Sequence, residues 1–303
     1  MDRRNFSKAL AKTALGTAAL AFESRALASA RAAGSGPAES PFKISVMLWT
    51  ILTDRPFEER LEKVAEAGYH AVELVGEYEK WSKADFRRYN RKRAELGITF
   101  DTTAGMPHGV ADPNARQAFL ADVRKELAIM EEIACPALIV MSGNVVANMP
   151  PKVQHDSCVE GLKRAADLVN GKNVTLLLEN IDLEENPHYY LWSVPEAFQI
   201  VEEVNHPQVK FLYDFYHAQI SGGNLIAHLE KNIDKVGLVH IADVPGRHEP
   251  GTGEIDYINI YKKLAELNYH RYVAMEYLPT GDTVKSLAHA REEALRAAQP
   301  RRS

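Results

Sequence analysis

Cysteine is nearly absent: the 303 residues carry two, Cys135 and Cys158. Two thiols cannot make a disulfide framework, so the fold must rest on a packed apolar core, and both are expected in or near it. No stretch approaches the roughly 20 consecutive apolar residues needed to span a bilayer. The glycine-rich first turn of a dinucleotide-binding sheet is also missing, which counts against a doubly wound fold. Positive charge is in deficit: 36 Lys and Arg face 41 Asp and Glu, a formal net charge of −5. Phosphate binding depends on clustered Lys and Arg, so the balance argues against a nucleic-acid partner.

The N-terminus has a different character. Arg3 and Arg4 precede Phe6, a weakly apolar Ala/Leu/Thr/Gly run follows over 9–22, and Ala26-Leu27-Ala28 and Ala28-Ser29-Ala30 offer small-residue cleavage sites. The pattern resembles a twin-arginine export signal. Residues 1–30 are therefore expected to be removed, 31–41 to form a small-residue linker, and 42–298 to fold as one domain. The expected location is the periplasm or another exported compartment, with no stable membrane insertion after cleavage. Residues 1–30 hold five Lys/Arg and two Asp/Glu, so their loss leaves a net charge of −8.

From Pro41 onward, short apolar runs alternate with longer amphipathic ones. The runs predict eight strands: Ile44–Leu48, Ala71–Leu74, Thr99–Thr102, Ala137–Met141, Val174–Leu178, Val209–Tyr213, Val236–Ile241 and Tyr272–Met275. Each is nearly continuously apolar, as expected of parallel strands covered on both faces. Helical periodicity fills the gaps at 57–67, 83–96, 115–133, 154–170, 194–204, 226–232, 258–267 and 284–298. Helix stops such as Ala67-Gly68, Leu96-Gly97 and Asn205-His206-Pro207 precede the next strand. Eight β-then-α units predict a (β/α)8 TIM barrel.

In such a barrel, function collects at the C-terminal ends of the strands. Those positions hold Glu73, then Thr103 with His108, Ser142-Gly143-Asn144, and Glu179-Asn180-Ile181-Asp182. Asp214 and His217, His240 and Arg247, and finally Glu276 follow. Glu179, Asp214, His240 and Glu276 come one from each of the last four strands. Three carboxylates and one imidazole suit a hard divalent ion, Mn²⁺ or Mg²⁺ first, with Co²⁺ or Zn²⁺ as alternatives. Taken singly, each has a plainer reading: Glu73 as a cap or ion-pair member, Asp214 as a helix cap, His240 as a core histidine. The case is the coincidence of all four where barrels do their chemistry.

The stretches Leu178-Glu179-Asn180-Ile181, Pro187-His188-Tyr189-Tyr190-Leu191, Tyr213-Asp214-Phe215-Tyr216-His217 and Val239-His240-Ile241-Ala242-Asp243 are similar to the hydroxypyruvate isomerase family. So are Gly253-Glu254-Ile255 and Met275-Glu276-Tyr277. That family belongs to the xylose-isomerase-like barrels of sugar isomerases and epimerases. The resemblance implies that Glu179 and Glu276 are an acid/base pair that also touches the metal, with Asp214 and His240 completing its ligands. It places His217 and Arg247 against substrate oxygens, with His188 and His108 as further substrate-binding candidates. The narrower group is expected to carry glutamine where His240 stands, while related ketose epimerases carry histidine, so the substrate assignment is looser than the metal site. The implied activity is isomerisation of a small α-hydroxycarbonyl compound, a keto or hydroxy acid or a sugar. A ketose 3-epimerase or keto-glycoside lyase could use the same site, and a periplasmic sugar-binding protein is the non-enzymatic alternative. A homo-oligomer is compatible with each.

Overall fold

The structure, a computed structural model, describes residues 40–299; the export-signal reading and all but the last two residues of the expected linker lie outside them. Eight parallel strands close into a barrel in sequence order. They are β1 (Lys43–Met47), β2 (Ala71–Val75), β3 (Thr99–Ala104), β4 (Ala137–Met141), β5 (Thr175–Glu179), β6 (Val209–Asp214), β7 (Val236–Ile241) and β8 (Tyr272–Met275). Closure joins β1 to β8 through the pairs Lys43–Tyr272, Ile44–Val273, Ser45–Ala274 and Val46–Met275.

The intervening helices among the described residues are α1 (Phe57–Glu66), α2 (Lys83–Glu95), α3 (Arg116–Ile133), α4 (Pro151–Val169) and α5 (Val194–Val204). They continue with α6 (Phe215–Ser221), α7 (Leu225–Asn232), α8 (Tyr257–Glu266) and α9 (Thr283–Ala297). Two depart from expectation by more than a residue. α4 starts at Pro151, three residues before the expected Gln154, because proline suits the first helical position. α6 lies outside the predicted helical spans, although the plain reading of Asp214 as a helix cap fits it: Asp214, at the end of β6, is its N-cap. Both cysteines are buried and free, as expected. Among the described residues, no helix is long and apolar enough to cross a membrane.

Side-chain alternation divides the apolar residues between two cores. Leu176 and Leu178 of β5, Phe211 and Tyr213 of β6, Val239 and Ile241 of β7, and Val273 and Met275 of β8 join the core between barrel and helices. Leu177, Leu212, Leu238 and Ala274 point the other way and fill the barrel interior with Met47, Ala104 and Ile139. Strand side chains repeat every two residues. The residues two positions beyond Leu177, Leu212, Leu238 and Ala274 therefore emerge on the inner face, one layer above the apolar plug. They are Glu179, Asp214, His240 and Glu276.

Candidate metal centre

The four residues converge. All are buried, and one ligand atom from each lies within 4.8 Å of the others. His240 Nδ1 is 2.9 Å from Glu276 Oε2, 3.6 Å from Glu179 Oε1 and 3.9 Å from Asp214 Oδ2. Despite that proximity, His240 Nδ1, Glu276 Oε2 and Asp214 Oδ2 have no aligned hydrogen-bond partner. A buried polar atom without a partner costs free energy, so three orphans around one point indicate a group that satisfies them together. Three carboxylates and an imidazole fit a divalent cation of the Mn²⁺ or Mg²⁺ kind.

Three of the four are held by a specific contact behind them. Asp214 uses Oδ1 to cap α6, accepting from Tyr216 N at 2.7 Å and His217 N at 3.2 Å, which leaves Oδ2 for the centre. The plain helix-cap reading and the ligand reading are thus both satisfied, by different oxygens. His240 places Nε2 2.9 Å from Glu73 Oε2, across the barrel interior. Glu276 accepts the Trp49 indole N–H through Oε1 at 2.6 Å, while Oε2 lies 2.8 Å from Arg247 Nη2.

Arg247 is held as firmly as these three. Its guanidinium lies between the rings of Trp49 and Tyr216, 5.2 and 5.0 Å from their centroids. Nη1 bonds Glu185 Oε2 at 2.7 Å and approaches His217 Nε2 at 3.3 Å. The loop that delivers it is organised by Asp243, whose buried carboxylate accepts the backbone N–H groups of Val244, Gly251, Gly253 and Ile255 at 2.8–3.0 Å. Gly253 must be glycine there, because a Cβ would sit 2.0 Å from the Val244 carbonyl oxygen. Glu249 ties the loop to Thr280, His248 Nδ1 lies 2.8 Å from the Leu278 carbonyl oxygen, and Gln219 donates to Glu254.

His217 forms a second group beside the first. Its Nδ1 is 2.5 Å from Asp182 Oδ2 and its Nε2 is 3.6 Å from Asp214 Oδ2. Asp182, Glu185 and His217 present ligand atoms within the same 4.8 Å span. The structure thus brings His217 and Arg247 to the quartet. His108 instead sits in an exposed loop, paired with Asp122 at 2.8 Å, and His188 is exposed, its carbonyl oxygen accepting from Val145 N. Trp49, Asp182, Asp243 and Glu185 had no assigned role from sequence. Their position just after β1, β5 and β7 was the only available signal, and it does not separate them from other loop residues.

The enclosed charges push one another apart. Burial raises Glu179 to about 8, aided by Glu276 and Asp214 and opposed by His240. Burial also acts to raise Glu276, but Arg247 and His240 outweigh it and hold that carboxyl well below the usual range. Burial acts to lower His240, and Glu73 and Glu276 overcome it, leaving the imidazole well above its ordinary value. The two glutamates therefore differ in protonation although they flank one point.

A family model described as a xylose isomerase-like TIM barrel matches residues 61–297. A 2-oxo-tetronate isomerase of Haemophilus influenzae is 30% identical over 250 residues, covering 81% of this chain and 96% of that protein. A putative hydroxypyruvate isomerase of Danio rerio is 29% identical over 268 residues, covering 84% and 96%. A solved structure described as an AP endonuclease, family 2, from Brucella melitensis aligns with a TM-score of 0.75 at 30% identity, over 82% of this chain and 98% of that one.

Proposed function

The chain belongs to the hydroxypyruvate isomerase family of xylose isomerase-like TIM barrels, and from that premise we propose that it is a metal-dependent isomerase of small α-hydroxycarbonyl acids. The observation that carries the reading is the convergence of orphaned Asp214 Oδ2, His240 Nδ1 and Glu276 Oε2 beside Glu179. These four residues would hold a divalent cation, which would supply Lewis acidity to the reaction. The remaining chemistry belongs to the chain. One of the two glutamates takes a proton from the hydroxyl-bearing carbon, and a proton is returned to the neighbouring carbon. The hydroxyl proton moves to the former carbonyl oxygen, so the carbonyl shifts to the neighbouring carbon with no net change in atoms, giving an aldehyde from hydroxypyruvate and a 3-oxo acid from 2-oxo-tetronate.

Arg247 and His217 would orient the substrate. The guanidinium is fixed by Trp49, Tyr216 and Glu185, and its fork suits a carboxylate or paired oxygens. The substrates named for the relatives, hydroxypyruvate and 2-oxo-tetronate, are 2-oxo acids with a hydroxyl on the next carbon. Returning the proton to the opposite face of the same carbon would give an epimerase, and expelling a β-substituent would give a lyase. Abasic-site cleavage is not favoured, because the chain is acidic and lacks a basic DNA-facing composition.

The test is a substrate panel of hydroxypyruvate, 2-oxo-tetronate, ketoses and keto-glycosides with Mn²⁺-loaded protein in D₂O. The expected result is interconversion of a 2-oxo acid with the isomer whose carbonyl lies on the next carbon, deuterium uptake at the reacting carbon, and loss of both on chelation. Turnover insensitive to chelator would contradict the metal requirement, and preference for a ketose epimer or an eliminated glycoside would reassign the reaction. Export by the twin-arginine route belongs to the same proposal, motivated by Arg3-Arg4 and the apolar run after them. Cell fractionation and N-terminal sequencing of the mature protein test it, with a periplasmic chain starting near residue 31 as the expected result.

A further inference from the structure

Glu73 is fully buried and has no role in the reading above. It belongs to β2, yet its Oε2 lies 2.9 Å from Nε2 of His240 on β7, 167 residues later and not a neighbouring strand. The contact therefore crosses the barrel interior. The other Glu73 oxygen is 3.5 Å from the Ser45 hydroxyl of β1. His240 is itself 1% exposed, so neither partner is solvated.

A buried ion pair is a weak source of stability, because desolvating both charges offsets most of their attraction. What this contact does supply is a choice between two nitrogens. In the neutral ring that can ligate a cation, with Nε2–H donated to Glu73, the lone pair is on Nδ1, the atom that faces Glu179, Asp214 and Glu276 and lacks an aligned partner. We propose that Glu73 is the positioning residue of the metal centre, fixing His240 in its Nε2–H form and aiming Nδ1 at a divalent cation. The inference rests on the reading that the quartet holds such a cation. Histidine ligands commonly donate their second ring N–H to a carboxylate, and removing that partner typically weakens metal affinity about 10- to 100-fold.

The experiment is Mn²⁺ titration of the full-length chain by calorimetry, comparing wild type with Glu73→Leu and Glu73→Gln. Affinity should fall roughly 10- to 100-fold in Glu73→Leu and less in Glu73→Gln, whose amide oxygen still accepts the N–H. Glu126→Gln is the control: Glu126 is a buried carboxyl bonded to Tyr78 at 2.7 Å, outside the centre, and its variant should bind Mn²⁺ as wild type does. Nitrogen-15 spectra of histidine-labelled, Zn²⁺-loaded wild type should show a slowly exchanging Nε2–H and an unprotonated Nδ1 at His240. That readout needs no variant to fold. Unchanged affinity in both Glu73 variants, or a proton on Nδ1 of the loaded wild type, overturns this inference alone. A wild-type chain that binds no divalent cation overturns it together with the proposed function.

Discussion

The two halves of the barrel end differently. β1 to β4 finish in Met47, Val75, Ala104 and Met141, all packed in or against the interior apolar cluster. β5 to β8 deliver Glu179, Asp214, His240 and Glu276 to the inner face. The backbone is the same repeated unit throughout, and β4 and β5 pair in register with Met141 opposite Glu179. The inner face thus ends as an apolar plug on one side and as the candidate metal centre on the other. A closed barrel permits this division because its strands hold the backbone whatever their terminal residues do. The halves still communicate through Glu73 and Trp49, which the first half sends toward the second.

The largest effect should come from the reacting half. Glu179→Gln or Glu276→Gln is expected to lower kcat by at least about 10²- to 10⁴-fold, with circular dichroism and the thermal transition showing an intact fold. Near-wild-type turnover in either variant would remove that residue from the proton chemistry. Arg247→Met should lower kcat/KM by roughly 10- to 100-fold, the scale of losing hydrogen bonds to a charged group. An unaltered kcat/KM on every acidic substrate would leave Arg247 with a loop-building role only.

Protonation gives a smaller, graded test. Glu179 must lose its proton to ligate a cation, and its folded value of about 8 lies above the ordinary 4.5. Mn²⁺ affinity should therefore rise with pH by up to about tenfold per unit and level off above about 8, with proton release measurable calorimetrically in buffers of different ionisation enthalpy. For the metal-free chain the sign is opposite. The folded state binds the extra proton, so this group's stabilising contribution is complete below its unfolded value and is lost as pH rises toward 8. A thermal transition in chelator that rises between pH 5 and 8 would contradict that assignment. Smallest of all should be Met141→Leu in the plug half, costing less than about 1.5 kcal/mol and leaving kcat within about twofold.

The same contrast explains what could be read from the sequence. The eight strands were legible because parallel strands buried on both faces are continuous apolar runs, and most of the helices because their faces repeat over about three or more turns. The quartet was legible because charge interrupts those runs once per strand. α6 showed only as the possible cap at Asp214, because its two turns directly after β6 form no separate periodic span. Glu73 was visible as a strand residue, but only the closed barrel shows that it meets His240 across the interior. Trp49 and Asp243 were equally hidden: each acts on a group brought near by loop geometry, the Glu276 carboxylate and the turn before Ile255.

The most direct measurement is the stoichiometry of Mn²⁺ binding, by calorimetry and electron paramagnetic resonance, in wild type, Asp214→Asn and Met141→Leu. One ion per chain in wild type and Met141→Leu, with the site lost or severely weakened in Asp214→Asn, is the expected result. Equal binding in all three, or none in wild type, would contradict the assignment of β5 to β8 as a metal centre.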